Sequence, residues 1–120
     1  MTGDFYNGKK VFITGHTGFK GSWLAIWLDK LGAEVSGFAL EPPTAPSMFE
    51  ICGIGEKIHS VMGDIRDRNA LESALKEARP EIVFHLAAQP IVRVSYDRPV
   101  ETYETNVMGT VNLLDAIRRC

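Results

Sequence analysis

The sequence predicts an α/β fold built on a doubly wound parallel sheet, and three observations support this prediction. Short apolar strands alternate along the chain with helical segments of about ten to fifteen residues. Three glycines spaced by two residues follow the first strand. The run at 81–88 is largely apolar, with Ile82, Val83 and Phe84 in succession rather than alternating with polar residues, as in a parallel strand covered on both faces. Helical connections between such strands imply right-handed crossovers and the strand order 3-2-1-4.

The first strand is predicted at 11–14, and it runs directly into Gly15, Gly18 and Gly21. The first glycine permits a sharp turn, the second lets the backbone approach a pyrophosphate, and the third lets the next helix pack closely on the strand. Free amides at the helix start would then face the anion. A tight turn that binds nothing is the alternative, and the flanking strand and helix disfavour it.

The helix after this loop is predicted at 18–31, where apolar residues recur at helical spacing. Its tryptophans, Trp23 and Trp27, are predicted to pack against the sheet, and Gly32 to end the helix. A second strand follows at 34–40, and the prolines after it predict a connection that is neither helix nor strand. The remaining predicted elements are a third strand at 57–62, a helix at 68–78 capped by Asp67 and closed by Pro80, a fourth strand at 81–88 and a long helix at 99–119.

An acidic residue, Glu41, lies where the second strand should end, about twenty residues beyond the last glycine. Its carboxylate can accept both hydroxyl hydrogens of a ribose, whereas the additional phosphate of NADP would meet a like charge. Lys20, inside the glycine loop, is the counter-argument, because a basic residue there suits NADP, although lysines at helix starts are commonly solvated. The residues therefore favour NAD as the cofactor.

The amino-acid composition limits which other classes of function are plausible. The chain has 120 residues, of which 45% are hydrophobic and 23% charged, with a net charge of -2, as expected of a globular α/β piece of one domain at most. No basic excess points to nucleic acid, and no apolar run reaches the roughly 18 residues that span a bilayer. Because the N-terminus has no signal-peptide pattern, we expect a cytoplasmic protein.

The cysteines and histidines show no metal-binding pattern. Cys52 and Cys120 lie far apart in the sequence, so neither a zinc site nor a disulfide framework is predicted. His16, His59 and His85 are equally scattered, and isolated histidines are more often packed or capping residues than ligands. We therefore expect no metal.

Four motifs occur in order along the chain. They are Gly15-x-x-Gly-x-x-Gly21, Gly63-Asp-Ile-Arg-Asp67, His85-Leu-Ala-Ala88 and Thr105-Asn-Val-Met-Gly-Thr110. Together they resemble the pattern of the extended short-chain dehydrogenases/reductases, which include the nucleotide-sugar epimerases and 4,6-dehydratases. The resemblance covers essentially all 120 residues. It implies that residues 1–120 are the N-terminal part of an NAD-binding Rossmann domain, with the rest of that domain and the substrate domain outside this chain.

Two loops indicate which members of this family the chain resembles most. The amino-acid sequences from Gly15 to Leu24 and from Ala88 to Tyr96 are most similar to the corresponding loops of the 4,6-dehydratases that act on CDP-glucose. This implies an internal redox cycle, in which bound NAD takes a hydride from C4 of the glucosyl unit, water is lost across C5 and C6, and the hydride returns at C6. A 4-epimerase, a dTDP- or GDP-sugar dehydratase and a non-enzymatic NAD-binding sensor remain as alternatives.

The resemblance also implies residue roles. By position, the loop from Gly15 to Gly21 would bind the pyrophosphate through Thr17, Gly18, Phe19 and Lys20. Glu41 would bind the adenosine ribose, and Asp64 and Ile65 would bind the adenine. The residues implied near the nicotinamide-side ribose are Leu86, Ala87, Ala88 and Asn106. Gln89 and Arg93 follow the predicted fourth strand closely, so we expect them to reach the sugar nucleotide. Asp64 is alternatively a turn or capping residue, Asn106 a helix cap, and Arg93 an ion-pair partner of Asp97.

The catalytic residues of this family are not found in the sequence. Its Tyr-x-x-x-Lys pair and its acid/base motif after the fifth strand would lie beyond Cys120. Tyr96 and Tyr103 do not replace the pair, because Val100 and Val107 stand four residues on. The chain is therefore expected to be an N-terminal fragment of a longer enzyme, and inactive alone.

The last predicted helix has an apolar face formed by Val107, Val111, Leu114 and Ile117. In the family it resembles a helix that packs between the subunits of a homodimer. The alternative is that this face only covers its own sheet.

Overall fold

Four strands form one parallel sheet in the order β3-β2-β1-β4 in the computed structural model, which describes residues 2–120. The strands are β1 (Lys10–Thr14), β2 (Glu34–Ala39), β3 (His59–Met62) and β4 (Ile82–His85). All three pairings are parallel, and Ile13 of β1 lies between Gly37 of β2 and Phe84 of β4. The predicted fold class and strand order are confirmed.

The sheet is covered by helices on both faces. The helices are α1 (Thr2–Tyr6), α2 (Phe19–Lys30), α3 (Met48–Ile51), α4 (Ile54–Lys57), α5 (Arg68–Ala78), α6 (Val92–Asp97), α7 (Pro99–Tyr103) and α8 (Gly109–Arg119). A π-helical turn (Glu104–Met108) joins α7 to α8, so the helix predicted at 99–119 is one helical segment with a widened turn. Side chains of alternate β1 residues enter opposite cores, since Val11 and Ile13 pack with α2, whereas Phe12 packs with α5 and α8.

Four short helices, α1, α3, α4 and α6, were not predicted. The third strand consequently begins at His59 rather than at 57, because Lys57 ends α4. One signal for α3 was present in the sequence, since Ser47 and Glu50 have the spacing of a helix cap. The Ser47 hydroxyl accepts a hydrogen bond from the Glu50 amide at 3.2 Å.

The predicted ends of the two longer crossover helices are confirmed. Gly32 follows α2 with a φ of +85°, a left-handed conformation that suits glycine. Asp67 caps α5, because its carboxylate accepts a hydrogen bond from the Ala70 amide at 3.1 Å. The same helix ends at Ala78, two residues before Pro80.

The predicted packing of the two tryptophans is wrong. Trp23 is 57% and Trp27 63% exposed, and α2 instead buries Gly21, Ala25 and Leu28. Small residues bring the helix close to the sheet, so the bulky indoles project to the outside. Since α2 is apolar around most of its circumference, its periodicity did not identify the buried side.

Strand β4 is half-buried rather than deeply buried, which corrects a second prediction. It is the edge strand of the described sheet, with β1 on one side and no strand on the other within residues 2–120. Its apolar side chains are therefore only partly covered.

Helix α8 packs on the core through Leu113 and Ala116, which lie with α5 in one cluster. The apolar face predicted on this helix points away from that cluster, and its members are between 41% and 61% exposed: Val107, Val111, Leu114 and Ile117. Within residues 2–120 this face covers no part of the four-stranded sheet. Among the helices of residues 2–120, none combines the length and the apolar composition that crossing a bilayer requires.

Candidate functional site

The loops that leave β1, β2 and β4 meet at the carboxyl edge of the sheet. The Gly15 amide donates to the Phe38 carbonyl at 3.0 Å, and the Leu86 amide donates to the Thr14 carbonyl at 3.0 Å. A Cβ atom on Gly15 would lie 2.7 Å from the Ala87 nitrogen. The glycine loop is thus in direct backbone contact with the loop after β4, at the edge where doubly wound sheets bind ligands.

The glycine loop forms a cradle for an anion. Gly15 has a φ of +84°, and a Cβ atom on Gly21 would overlap the Gly15 carbonyl oxygen. Gly18 is the N-cap residue of α2 and makes no side-chain cap, so no side chain occupies the first amides of this helix. A Cβ atom on Gly18 would meet nothing closer than the Gly15 carbonyl oxygen at 3.6 Å, so the protein itself does not crowd this position at the helix start.

Two residues between the glycines anchor the loop to the neighbouring strands. The Thr17 hydroxyl donates to the Leu40 carbonyl at 2.8 Å, directly before Glu41. The fully buried His16 lies 2.7 Å from Ser60 Oγ through Nε2, and its carbonyl accepts from the Ser22 hydroxyl at 3.0 Å. These contacts tie the glycine loop to the end of β2 and to β3.

The His16 ring is held in a tight, uncharged environment. Burial lowers the pKa of His16 to about 4, so the imidazole is neutral at pH 7. Its ring packs edge-on against Phe49, with ring centroids 5.4 Å apart. A Cβ atom on Gly37 would overlap the ring. Within residues 2–120, the buried Nδ1 atom has no hydrogen-bond partner.

The polar and bulky residues predicted around the cradle lie on its rim. Phe19, Lys20 and Glu41 are exposed. Beside them runs an apolar groove of about 430 Å³ between the start of α2 and the segment that follows β2. Its lining includes Thr17, Phe19, Pro43, Pro46, Met48 and Ile51. The structure thus brings the glycine loop and the Glu41 segment to one surface.

The segment after β3 contributes Asp64 and Ile65. The Asp64 carboxylate accepts from the Arg66 side chain, with Nη2 to Oδ2 at 2.6 Å and Nε to Oδ1 at 3.0 Å. It also accepts from the Arg66 amide at 2.9 Å, which is the turn role considered as the alternative. Hydrogen bonding to Arg66 lowers the pKa of Asp64, so its carboxylate is charged at pH 7. Ile65 is buried beside Gly109.

The loop after β4 is held by Asn106. Asn106 Oδ1 accepts from the Gln89 amide at 2.7 Å, and Nδ2 donates to the Gln89 carbonyl at 3.1 Å. Because Asn106 lies within the π-helical turn, the alternative that it caps a helix is wrong. The Gln89 side chain is itself engaged, since it bonds to the backbone of Ile91 and to Thr102.

The remaining predicted residues of this region lie at its surface. Leu86 and Ala87 are half-buried, whereas Ala88 and Arg93 are exposed. Arg93, on α6, forms no ion pair with Asp97 in the described chain, so that alternative is not observed. Residues 2–120 contain no group of three or more metal-ligating side chains.

Three side chains of this edge were missed by the sequence analysis. His85 at the end of β4 lies between Thr14, with Nδ1 2.6 Å from Oγ1, and Thr110, with Nε2 3.0 Å from Oγ1. Thr14 Oγ1 in turn accepts from the amides of Leu86 and Ala87 at 3.1 and 3.2 Å. A polar residue that ends an apolar strand was the available signal for His85.

Known proteins resemble this chain over nearly its whole length. The family model described as GDP-mannose 4,6 dehydratase matches residues 12–120. The CDP-glucose 4,6-dehydratase of Salmonella typhimurium (strain LT2) is 57% identical over 116 residues, which cover 97% of this chain and 32% of that protein. The GDP-mannose 4,6-dehydratase of Yersinia enterocolitica is 35% identical, with 92% and 31% covered. The chain thus spans about a third of the length of the curated relatives it matches.

Solved structures of similar fold include nucleotide-sugar enzymes. The UDP-glucose 4-epimerase of Thermus thermophilus, in complex with NAD, superimposes with a TM-score of 0.79 at 36% identity, covering 91% of this chain and 33% of that one. The UDP-glucose-4-epimerase of Stenotrophomonas maltophila, with bound NAD and formylated UDP-arabinopyranose, gives 0.77 at 28% identity, with 92% and 33% covered.

Proposed function

Because the chain belongs to the GDP-mannose 4,6 dehydratase family of extended short-chain dehydrogenases/reductases, we propose that it is the N-terminal part of the NAD-binding Rossmann domain of a nucleotide-sugar 4,6-dehydratase. The proposed substrate is CDP-glucose, and the product is CDP-4-keto-6-deoxyglucose. The observation that carries this choice is the 57% identity to a CDP-glucose 4,6-dehydratase, against 35% to a GDP-mannose 4,6-dehydratase.

The cradle at the start of α2 fits the diphosphate of NAD. Its amides lack a side-chain cap, and the absence of a Cβ atom at Gly18 leaves room for a phosphate. The Thr17 hydroxyl is already bonded to Leu40, so Thr17 would contribute its backbone rather than its side chain. Lys20, exposed on the first turn, adds a positive charge nearby. When bound, NAD supplies a reversible acceptor for the hydride from the sugar.

The other loops would hold the two ends of the cofactor. Asp64, oriented by Arg66, would accept from the adenine amine, with Ile65 beneath it. The segment from Leu86 to Ala88 would line the nicotinamide-side ribose. Asn106 would act through the Gln89 backbone that it holds, not only by direct contact. Arg93 is exposed and suits a phosphate of the nucleotide sugar.

Glu41 would select NAD over NADP through the adenosine ribose. Replacing it with alanine (Glu41→Ala) removes the carboxylate that accepts the two hydroxyls, so we expect the Kd for NAD to rise about tenfold and the discrimination against NADP to narrow. Titration of both dinucleotides by calorimetry measures this. Glu56→Ala, at an exposed glutamate on α4 outside the groove, is the matched control. Unchanged NAD affinity with continued NADP rejection would contradict the assignment.

The exposed apolar face of α8 supports a homodimer. Val107 of the π-helical turn continues the stripe that Val111, Leu114 and Ile117 form on α8, on the side that faces away from α5. A second copy of the protein would bury this stripe by pairing the same helices.

The activity is tested with the complete polypeptide that contains this sequence. It is incubated with a catalytic amount of NAD and, separately, with CDP-glucose, dTDP-glucose or GDP-mannose, and mass spectrometry follows the loss of one water. Loss from CDP-glucose alone is the expected result. Loss from another sugar nucleotide would correct the substrate and keep the reaction. No loss from any of them, with NAD bound, would favour a 4-epimerase or a non-enzymatic NAD sensor.

A further inference from the structure

His85 is hydrogen-bonded through both ring nitrogens, and the neighbouring groups determine the direction of each bond. On one side, Thr110 Oγ1 lies 2.7 Å from the Asn106 carbonyl oxygen, which can only accept. The single hydroxyl proton of Thr110 is therefore donated to that carbonyl. Thr110 Oγ1 must then accept from His85 Nε2, which lies 3.0 Å away.

The hydrogen bonds at His85 Nδ1 independently indicate the same tautomer. Thr14 Oγ1 accepts from the Ala87 amide at 3.2 Å and from the Leu86 amide at 3.1 Å, the latter shared with the Thr14 carbonyl. Because both lone pairs of this hydroxyl are engaged, its contact with His85 Nδ1 uses its own proton. Nδ1 is thus an acceptor, and Nε2 carries the proton. Burial lowers the pKa of His85, in line with an uncharged ring. Both bonds require one neutral tautomer.

We infer that His85, as the neutral Nε2–H tautomer, is a positioning residue for the cofactor, because it orients the Thr14 hydroxyl that holds the Leu86 and Ala87 amides beside Gly15. Thr110 links the same ring to the carbonyl of Asn106, whose side chain holds Gln89. The loop from 86 to 89 is therefore fixed at both ends by one hydrogen-bonded chain. The inference rests on the proposed NAD function, which places this loop at the nicotinamide side.

A pair of amide variants separates this role from simple packing. The side-chain oxygen of asparagine can occupy the place of Nδ1 and accept from Thr14, whereas the terminal amide of glutamine replaces Nε2 and leaves Thr14 without its acceptor. We expect His85→Gln to raise the Kd for NAD about tenfold and His85→Asn to raise it less than about threefold. If His85 only filled space, the larger glutamine would be the better substitute.

The measurement uses the complete polypeptide, with NAD affinity determined by calorimetry and folding checked by circular dichroism. His59→Gln, at an exposed histidine on β3, is the matched control and leaves the Kd unchanged. Nitrogen-15 NMR of histidine-labelled protein reports the tautomer independently of NAD and of any variant. The expected spectrum at pH 7 has a protonated Nε2 and an unprotonated Nδ1 for His85.

Several results would overturn the inference. An Nδ1–H tautomer or a charged imidazolium at pH 7 contradicts the bond directions, whether or not NAD binds. Equal Kd values for His85→Gln, His85→Asn and wild type, with NAD bound by all three, refute the positioning role and leave the proposed function intact. Failure of the wild type to bind NAD contradicts both.

Discussion

The glycines of the cofactor loop have different physical roles, although they belong to one motif. A Cβ atom on Gly21 would overlap the Gly15 carbonyl, whereas one on Gly18 would make only an ordinary contact with the same carbonyl oxygen at 3.6 Å. Gly21 is needed for folding, and Gly18 is needed only if something binds above it. This difference allows the fold and the cofactor site to be tested separately.

We expect Gly21→Ala to lower the free energy of unfolding by about 2 kcal/mol, because the added methyl group forces α2 away from the loop. Gly18→Ala should lower it by no more than about 1 kcal/mol, because a φ of -78° suits alanine and the nearest atom is an ordinary contact, while alanine is the poorer N-cap residue. The same variant should raise the Kd for NAD at least about tenfold by blocking the phosphate. Denaturant unfolding and calorimetry measure the two effects, and unchanged NAD affinity in Gly18→Ala would contradict the proposed phosphate position.

His16 predicts a pH dependence of stability. Its pKa is about 4 in the folded protein and 6.5 as the ordinary value, so the unfolded chain binds the proton more tightly. The contribution of the neutral ring is complete above pH 6.5 and is lost as the pH falls toward 4. Between pH 7 and pH 4.5 this amounts to about 2 kcal/mol.

Unfolding of wild type and His16→Asn by denaturant at several pH values tests this prediction. The variant is expected to be less stable at pH 7 and to lose less stability on acidification. His59→Asn, at an exposed histidine, is the control for loss of an imidazole at the surface. Identical slopes for wild type and His16→Asn would show that the buried imidazole does not cause the acid sensitivity.

At the scale of the helices, the π-helical turn between α7 and α8 determines where Asn106 lies in the site. The π-helical turn places Asn106 where its amide bonds to both backbone groups of Gln89. Such turns widen a helix by one residue and are frequent at functional sites. The π-helical turn therefore positions the side chain that holds the loop after β4.

Asn106→Ala leaves the Gln89 amide and carbonyl without partners, so we expect it to lower the free energy of unfolding by about 1–3 kcal/mol. It should also accelerate amide hydrogen exchange at 86–91 and weaken NAD binding. Asp67→Ala is the control, because loss of the α5 cap costs about 1 kcal/mol and removes no hydrogen bond to residues 86–91. Equal exchange rates at 86–91 in both variants would contradict the role of Asn106.

For the molecule as a whole, the exposed face of α8 predicts how copies associate. Leu114, 61% exposed, lies within the stripe of Val107, Val111 and Ile117. Leu114→Arg places a charge in the proposed interface, so we expect the complete polypeptide to change from dimer to monomer in light scattering coupled to gel filtration. Ile51→Arg, at an exposed apolar residue on α3, should leave the dimer intact. A folded Leu114→Arg dimer would exclude this face as the interface.

The sequence was sufficient for features that depend on neighbouring residues. The glycine loop, the Asp67 cap and the helix end at Gly32 follow from short patterns, because turn geometry and capping act within a few residues. The strand order was predicted from the alternation of strands and helices, because helical crossovers in a doubly wound sheet allow few arrangements. Four ordered motifs were likewise enough to indicate the family, which the comparisons confirmed.

Only the tertiary structure decided which side chains the fold brings together or leaves exposed. His85 meets Thr14 across 71 positions of the sequence, and Asn106 meets Gln89 across 17. The exposure of Trp23 and Trp27 and the partial burial of β4 depend equally on what packs beside them. Local patterns carry no information about such neighbours, because burial and long-range hydrogen bonds are properties of the assembled sheet and helices.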